Sequence, residues 1–147
     1  MLANKTTILL SFSLMFSGFS FQVIHGQAPA AAGDGVYTAE QAHRGETAYQ
    51  KQCVSCHGAA LDGVGPYPPL SGDDFLGKYE GQPVMNLYDM IQKLMPADHP
   101  GSLTRPEAAD LLSYILSFNK FPAGKTELPS DEDSLKKITL PKPTPKA

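Results

Sequence analysis

Cys53 and Cys56 are the two cysteines of this 147-residue chain, and His57 follows them at once. The run Cys53-Val54-Ser55-Cys56-His57 constrains the chain more than any other feature. Two thiols so close together cannot build the disulfide framework that staples small exported domains, so their purpose is local. Upstream, Thr38 is a candidate N-cap with Gln41 at the capping-box position, and the stretch to Gln52 is rich in helix formers. A helix ending at the motif is predicted. Downstream, Gly58, Gly63, Gly65, Pro66, Pro68, Pro69 and Gly72 exclude a regular element as far as Tyr79.

Two more helices are legible. Val84, Leu87, Tyr88, Ile91 and Leu94 repeat with the 3.6-residue period, and Pro96 enforces a stop. Thr104 with Glu107 forms a capping box, Pro106 sits in the first turn where its missing N–H costs nothing, and Leu111, Leu112, Ile115 and Phe118 make an apolar stripe, with Tyr114 near its edge. After Phe121 come breakers at Pro122, Gly124 and Pro129, then a short helical stretch from Asp131 to Lys137. Leu128, Leu135, Ile138 and Leu140 can dock this segment onto the domain. The closing Pro-Lys-Pro-Thr-Pro-Lys-Ala is too polar and proline-rich to pack.

Charge and ends narrow the class. A net charge of −3 with scattered lysines argues against a nucleic-acid partner, since phosphate binding needs clustered Lys and Arg. Lys5, an uncharged apolar run from Ile8 to Ile24, and the small residues of Gly26-Gln27-Ala28-Pro29-Ala30 follow the pattern of a signal peptide over residues 1–30, cut after Ala28 or Ala30. The alternative is an uncleaved membrane anchor. A periplasmic or secreted location is expected, with no membrane span after cleavage. Residues 31–36 read as a leader, 37–122 as the domain and 123–147 as a C-terminal extension.

C-x-x-C-H is the attachment sequence of c-type haem. Two thiols three residues apart at a helix end can each add to a vinyl group, and the adjacent His57 is then held as the proximal iron ligand. A structural zinc site would need four ligands, with only His43 or His99 to join the three. A thioredoxin-like redox pair would need a βαβ context that this helical, proline-rich sequence lacks. The expected cofactor is one covalent haem c with its iron.

From about Tyr37 to Pro122 the chain resembles a class I c-type cytochrome: a first helix ending in the attachment motif, a Gly/Pro loop, a middle helix, a Met-bearing loop and a last helix crossing the first. That resemblance implies an all-α fold of three main helices around a covalent haem, with the crossing made by Gly45 and Tyr49 against Tyr114. It implies a proline carbonyl that accepts from the proximal histidine, and Pro68-Pro69-Leu70-Ser71-Gly72 is similar to the family's loop. Aligning on Leu70 and Gly72 selects Pro68, with Pro66 or Pro69 as alternatives where Tyr67 replaces the usual glycine. It implies Met95 as the sixth ligand, since Met95-Pro96 matches the family's Met-Pro element and a thioether sulfur favours reduced iron. Met85 and Met90 lie within the middle helix, where methionine is more often core filler. His99 is the chemical rival. The Met-Pro, Pro-Gly-Ser-Leu, Ser-Tyr-Ile-Leu and Phe-Pro-Ala-Gly elements resemble secreted bacterial cytochromes that accompany quinoprotein dehydrogenases.

The resemblance implies a one-electron carrier, not an enzyme, working between a dehydrogenase or other oxidoreductase and a terminal acceptor such as an oxidase. One alternative is a permanent haem subunit of a dehydrogenase, with the tail from Phe121 as its interaction arm. The other is a haem enzyme or gas sensor, which requires an open sixth position that a stable Met95 bond would close. Lys51 and Lys93, just before the attachment motif and the Met95 loop, form a candidate basic rim for a partner.

Overall fold

A computed structural model describes residues 34–140. The expected signal segment 1–30, the first half of the leader and the closing seven residues lie outside the described residues. The elements are all helical: α1 (Ala39–Gln52), α2 (Val54–His57), α3 (Asp73–Leu76), α4 (Val84–Leu94), α5 (Arg105–Phe118) and α6 (Glu132–Leu135). Among the described residues the sole β pairing is an isolated antiparallel bridge between Pro83 and Thr139.

Helix α1 starts where the Thr38 side chain accepts from the Gln41 N–H at 3.1 Å, satisfying a donor that the first turn leaves orphaned. The reciprocal half of the capping box is missing. Gln41 instead turns its amide to the backbone of Leu128, donating to its carbonyl at 3.1 Å and accepting from its N–H at 2.6 Å. Helix α5 carries the complete box: Thr104 caps the Glu107 N–H, and the Glu107 carboxylate accepts from the Thr104 N–H at 2.9 Å.

The crossing of α1 and α5 is the frame of the domain. Gly45 lies so close to α5 that a Cβ there would fall 1.9 Å from the Asp110 carbonyl oxygen and 2.9 Å from the Tyr114 Cβ. One turn on, the Tyr49 and Tyr114 rings pack with centroids 5.2 Å apart and planes tilted by 52°, an arrangement worth about 0.5–1.5 kcal/mol beyond the area buried. Arg44 clasps the crossing from outside, with Nε and Nη2 on the Asp110 carboxylate at 2.9 Å and Nη2 also on Glu127 at 2.9 Å.

Two features depart from the expectations. The loop after His57 contains the single-turn helix α3, because the Gly/Pro run ends at Gly72 and leaves Asp73-Asp74-Phe75-Leu76 free to turn and bury Phe75. The stripe on α5 is far wider than four residues: every side chain from Leu111 to Leu116 is buried, Ser113 included. That stretch of the helix is enclosed by α1 and α4, and the C-terminal segment joins the same core. Leu128, Leu135, Ile138 and Leu140 are all buried with the residues of α1, α4 and α5, each adding roughly 1.5–3 kcal/mol of burial. The Tyr37 hydroxyl donates to the Phe121 carbonyl, and the Gly124 N–H donates to the Tyr37 carbonyl at 2.7 Å, tying the start of the segment to the chain before α1.

Candidate functional site

The attachment run sits on a tight double turn. Cys53 ends α1 at φ −123°, ψ −29°, donating its N–H to the Tyr49 carbonyl at 2.9 Å, and α2 then completes one turn with the His57 N–H on the Cys53 carbonyl at 2.9 Å. Both thiols are free and half-buried. Burial, with a smaller contribution from Cys56, pushes the Cys53 thiol up to about 11, so it is protonated at neutral pH. The Tyr49 hydroxyl, buried at the helix crossing, donates to the Gly58 carbonyl at 2.7 Å and so links the crossing to the turn.

His57 is 8% exposed. Its Nδ1 lies 2.9 Å from the Pro68 carbonyl oxygen. A carbonyl can only accept, so in the neutral ring the proton is on Nδ1 and Nε2 keeps a free lone pair. A chain of loop contacts brings Pro68 to this point. The Gly63 N–H donates to the His57 carbonyl at 2.9 Å and the Leu70 N–H to the Leu61 carbonyl at 2.8 Å. Gly63 needs to be glycine: its φ is +81° and a Cβ would fall 2.4 Å from the Tyr67 carbonyl oxygen. Leu61 turns the loop at φ 54°, a left-handed conformation costing a leucine about 1–2 kcal/mol, which its complete burial offsets.

Leu70 is partly buried against the core. Its carbonyl accepts from the Asn119 side chain at 3.0 Å, while Asn119 Oδ1 accepts from the Gly72 N–H at 3.1 Å. Asn119, the residue that ends α5, thus staples the proline loop to the last helix. Its position after an apolar stripe signals only a helix stop, so sequence reasoning missed this role, as it did that of Leu61.

Met95 caps the C-terminus of α4 in extended backbone, φ −116° and ψ 150°, as expected of a residue before proline, and is half-buried. Met85 is in the core and Met90 is exposed on α4. His99 has a side chain 76% exposed and paired with Asp98 at 3.2 Å. Val64, Tyr67, Met90 and Leu94 are the large apolar side chains left exposed among the described residues. They fall in two pairs, one in the loop after His57 and one on the last turns of α4 leading to Met95. Among the described residues no three His, Cys, Asp or Glu side chains converge to hold a metal ion, so the zinc alternative lacks a donor set. No helix among them is long and apolar enough to cross a membrane. An open hollow lined by Ala39, Glu40, His43 and Arg44 lies at the other end of α1 from Cys53.

Comparison with known proteins bears on the same region. No curated protein matches the chain. In fold it is similar to a chain of the crystal structure of the sulfane dehydrogenase SoxCD from Paracoccus pantotrophus, with a TM-score of 0.50 and 18% identity. The match covers 80% of this chain and 62% of that one, so the chain spans less than two thirds of its neighbour's length, and at this identity the likeness is one of fold. The family model described as cytochrome c oxidase, cbb3-type, subunit III matches residues 40–115, just over half of the chain and all of the stretch from α1 through the attachment run into α5. A match of that extent, on a helical fold built around Cys53-Val54-Ser55-Cys56-His57, makes the chain a member of the c-type cytochromes of class I, whose covalent haem iron transfers electrons.

Proposed function

We propose that this protein carries a single haem c, held by thioether bonds from Cys53 and Cys56 with His57 and Met95 as axial donors, and shuttles single electrons between a periplasmic dehydrogenase or other oxidoreductase and a terminal acceptor. The observation that carries this reading is the state of His57: buried, fixed through Nδ1 by the Pro68 carbonyl, with Nε2 the nitrogen left to bind iron. The rest of the site fits the group. Two free thiols stand on the double turn, and four apolar side chains lie bare in the segments flanking the two axial donors, where a flat apolar macrocycle would cover them. When bound, the haem supplies the ferric–ferrous couple.

The chain's own residues set the conditions. The Pro68 carbonyl orients the imidazole and raises its basicity. Met95 would supply a thioether sulfur to the iron, which favours the reduced state. No side chain serves as a catalytic acid, base or nucleophile in this reading. The apolar residues of the C-terminal segment up to Leu140 are spent on the protein's own core, which favours a free shuttle over an interaction arm for a permanent dehydrogenase subunit. Export rests on the apolar run of residues 8–24. Lys93 is paired with Asp89 at 2.8 Å, so a basic rim for a partner depends mainly on Lys51.

The test is spectroscopic. Haem should stay on the chain through denaturation and acid–acetone extraction, and Met95→Ala should abolish the weak near-infrared sulfur-to-iron band and lower the potential. Met90→Leu should leave the band in place. Release of free haem from mature protein overturns the attachment, and a band that survives Met95→Ala overturns the axial assignment. Copurification of a dehydrogenase on a native gel would favour the subunit reading.

A further inference from the structure

The middle helix α4 ends at Met95, and its other end is not finished by its own sequence. Pro83 precedes it and offers no capping side chain. An uncapped first turn leaves N–H groups without partners, which costs about 1 kcal/mol or more for each one buried. The Val84 N–H is satisfied from far along the chain: it donates to the Ile138 carbonyl at 2.8 Å. Beside it, the Gly81 N–H donates to the Leu140 carbonyl at 2.9 Å, and the Leu140 N–H to the Gln82 carbonyl at 3.0 Å. Pro83 and Thr139 form the isolated bridge between these strips of backbone.

A second hold lies one turn into α4. Tyr88 is buried, and its hydroxyl reaches both the Arg105 carbonyl at 3.1 Å and the Ser130 carbonyl at 3.3 Å, so it spans α4, the start of α5 and the C-terminal segment. Helix α6 packs on α4 between these two holds, with Leu135 fully buried. Lys136 of α6 is raised chiefly by Glu132, with a smaller share from Asp89 of α4.

We infer that the C-terminal segment from Leu128 to Leu140 is the positioning device for the distal ligand: it caps and clamps α4 at Val84 and Tyr88, and through that helix sets where Met95 stands. An α-helix of this length is a stiff strut of about 16 Å, so a shift or fraying at its capped end is passed to Met95 at the other. Met95 itself is tied to this helix by its N–H on the Ile91 carbonyl at 3.2 Å. The inference rests on the reading of Met95 as the axial sulfur.

The experiment separates the clamp from general stability. Val84→Pro deletes the donated N–H at a first-turn position that tolerates proline, and Val84→Ala keeps the N–H while trimming the same side chain. Tyr88→Phe removes the second hold with little change in packing and carries the test alone if Val84→Pro fails to mature with haem. Tyr37→Phe, which cuts the bond to Phe121 away from α4, is the control for stability. The readout is imidazole titration of the ferric protein with haem attached, since imidazole must displace the sixth ligand. Val84→Pro relative to Val84→Ala, and Tyr88→Phe relative to wild type, should each raise imidazole affinity roughly two- to tenfold, the equivalent of one hydrogen bond. Tyr37→Phe should lower the melting temperature and leave imidazole affinity unchanged. Equal affinities in all variants, with the near-infrared band abolished by Met95→Ala, would overturn the clamp and keep the ligand. A band that survives Met95→Ala would instead overturn the reading beneath it.

Discussion

His57 is held by neighbours no more than 11 residues away, by Pro68 on its ring and by Cys53 and Gly63 on its backbone. The helix that ends at Met95 is held from 42 residues away at Tyr88, and from further still at Val84. The two proposed axial donors thus sit in different kinds of support. The histidine side is chiefly a local circuit of turns over short loops that cost little entropy to form, with one remote staple from Asn119 to the far end of the proline loop. The methionine side depends on a segment that must travel past α1 and α5 before it returns. Local and remote supports of this kind can open as separate units, so the two sides are expected to fail separately.

The broadest effect should come from removing what both sides share. Gly45→Ala places a Cβ against the Asp110 carbonyl and cannot be absorbed by a flexible side chain. It should destabilise by about 3 kcal/mol, the upper end of overpacking costs, despite the roughly 1 kcal/mol that alanine adds in helix propensity. Thermal melts of the mature protein would show it, and a variant as stable as wild type would deny that the crossing frames the site.

A matched pair then sets one side against the other. Leu135→Ala, in the clamp, should cost about 2–5 kcal/mol and also raise imidazole affinity in the ferric protein. Tyr49→Phe, on the histidine side, removes the donor to the Gly58 carbonyl and should cost about 1–3 kcal/mol without changing imidazole affinity. If both variants moved imidazole affinity alike, the contrast between local and remote support would collapse.

The smallest effect is a pH dependence common to both sides. Glu107 is held below its ordinary value of 4.5, first by the Thr104 hydroxyl and then by its N–H. A depressed carboxylate contributes stability that is fully present above 4.5 and is lost as pH falls through the lower folded value. Glu107→Ala should therefore cost about 1 kcal/mol at pH 6, and the gap to wild type should shrink on acidification. Denaturant melts at several pH values would measure it. A gap that widened in acid would mean the capping box is not what depresses Glu107.

Much of the frame was legible because caps and stops act over three or four residues. Thr38, Pro96 and the Thr104–Glu107 box stand at the observed ends of α1, α4 and α5. The resemblance to class I c-type cytochromes added the pairing of Gly45 with Tyr114 and pointed to the Pro68 carbonyl for His57, and the structure puts both pairs in contact. Gln41 shows the limit. Its position made it a capping residue, yet a buried glutamine with two backbone partners at Leu128 is more fully satisfied than one folded back on its own helix end. The turn at α3 was hidden for a similar reason, since its existence depends on a core that accepts Phe75.

By itself, then, the amino-acid order determined where the main helices begin and end, where the thiols and histidine fall, and that Leu128, Leu135, Ile138 and Leu140 seek a core. Those properties are written in side chains and in spacings of a few residues. Only the tertiary structure decided that Asn119 staples the proline loop, that Leu61 turns left-handed, and that Ile138 finishes the first turn of α4. The left-handed turn of Leu61 depends on the core that buries its side chain, and the other two are contacts between segments distant in sequence, made in part by a backbone group that every residue possesses. Such a bond leaves no mark on residue identity and exists only once the chain has closed around its core.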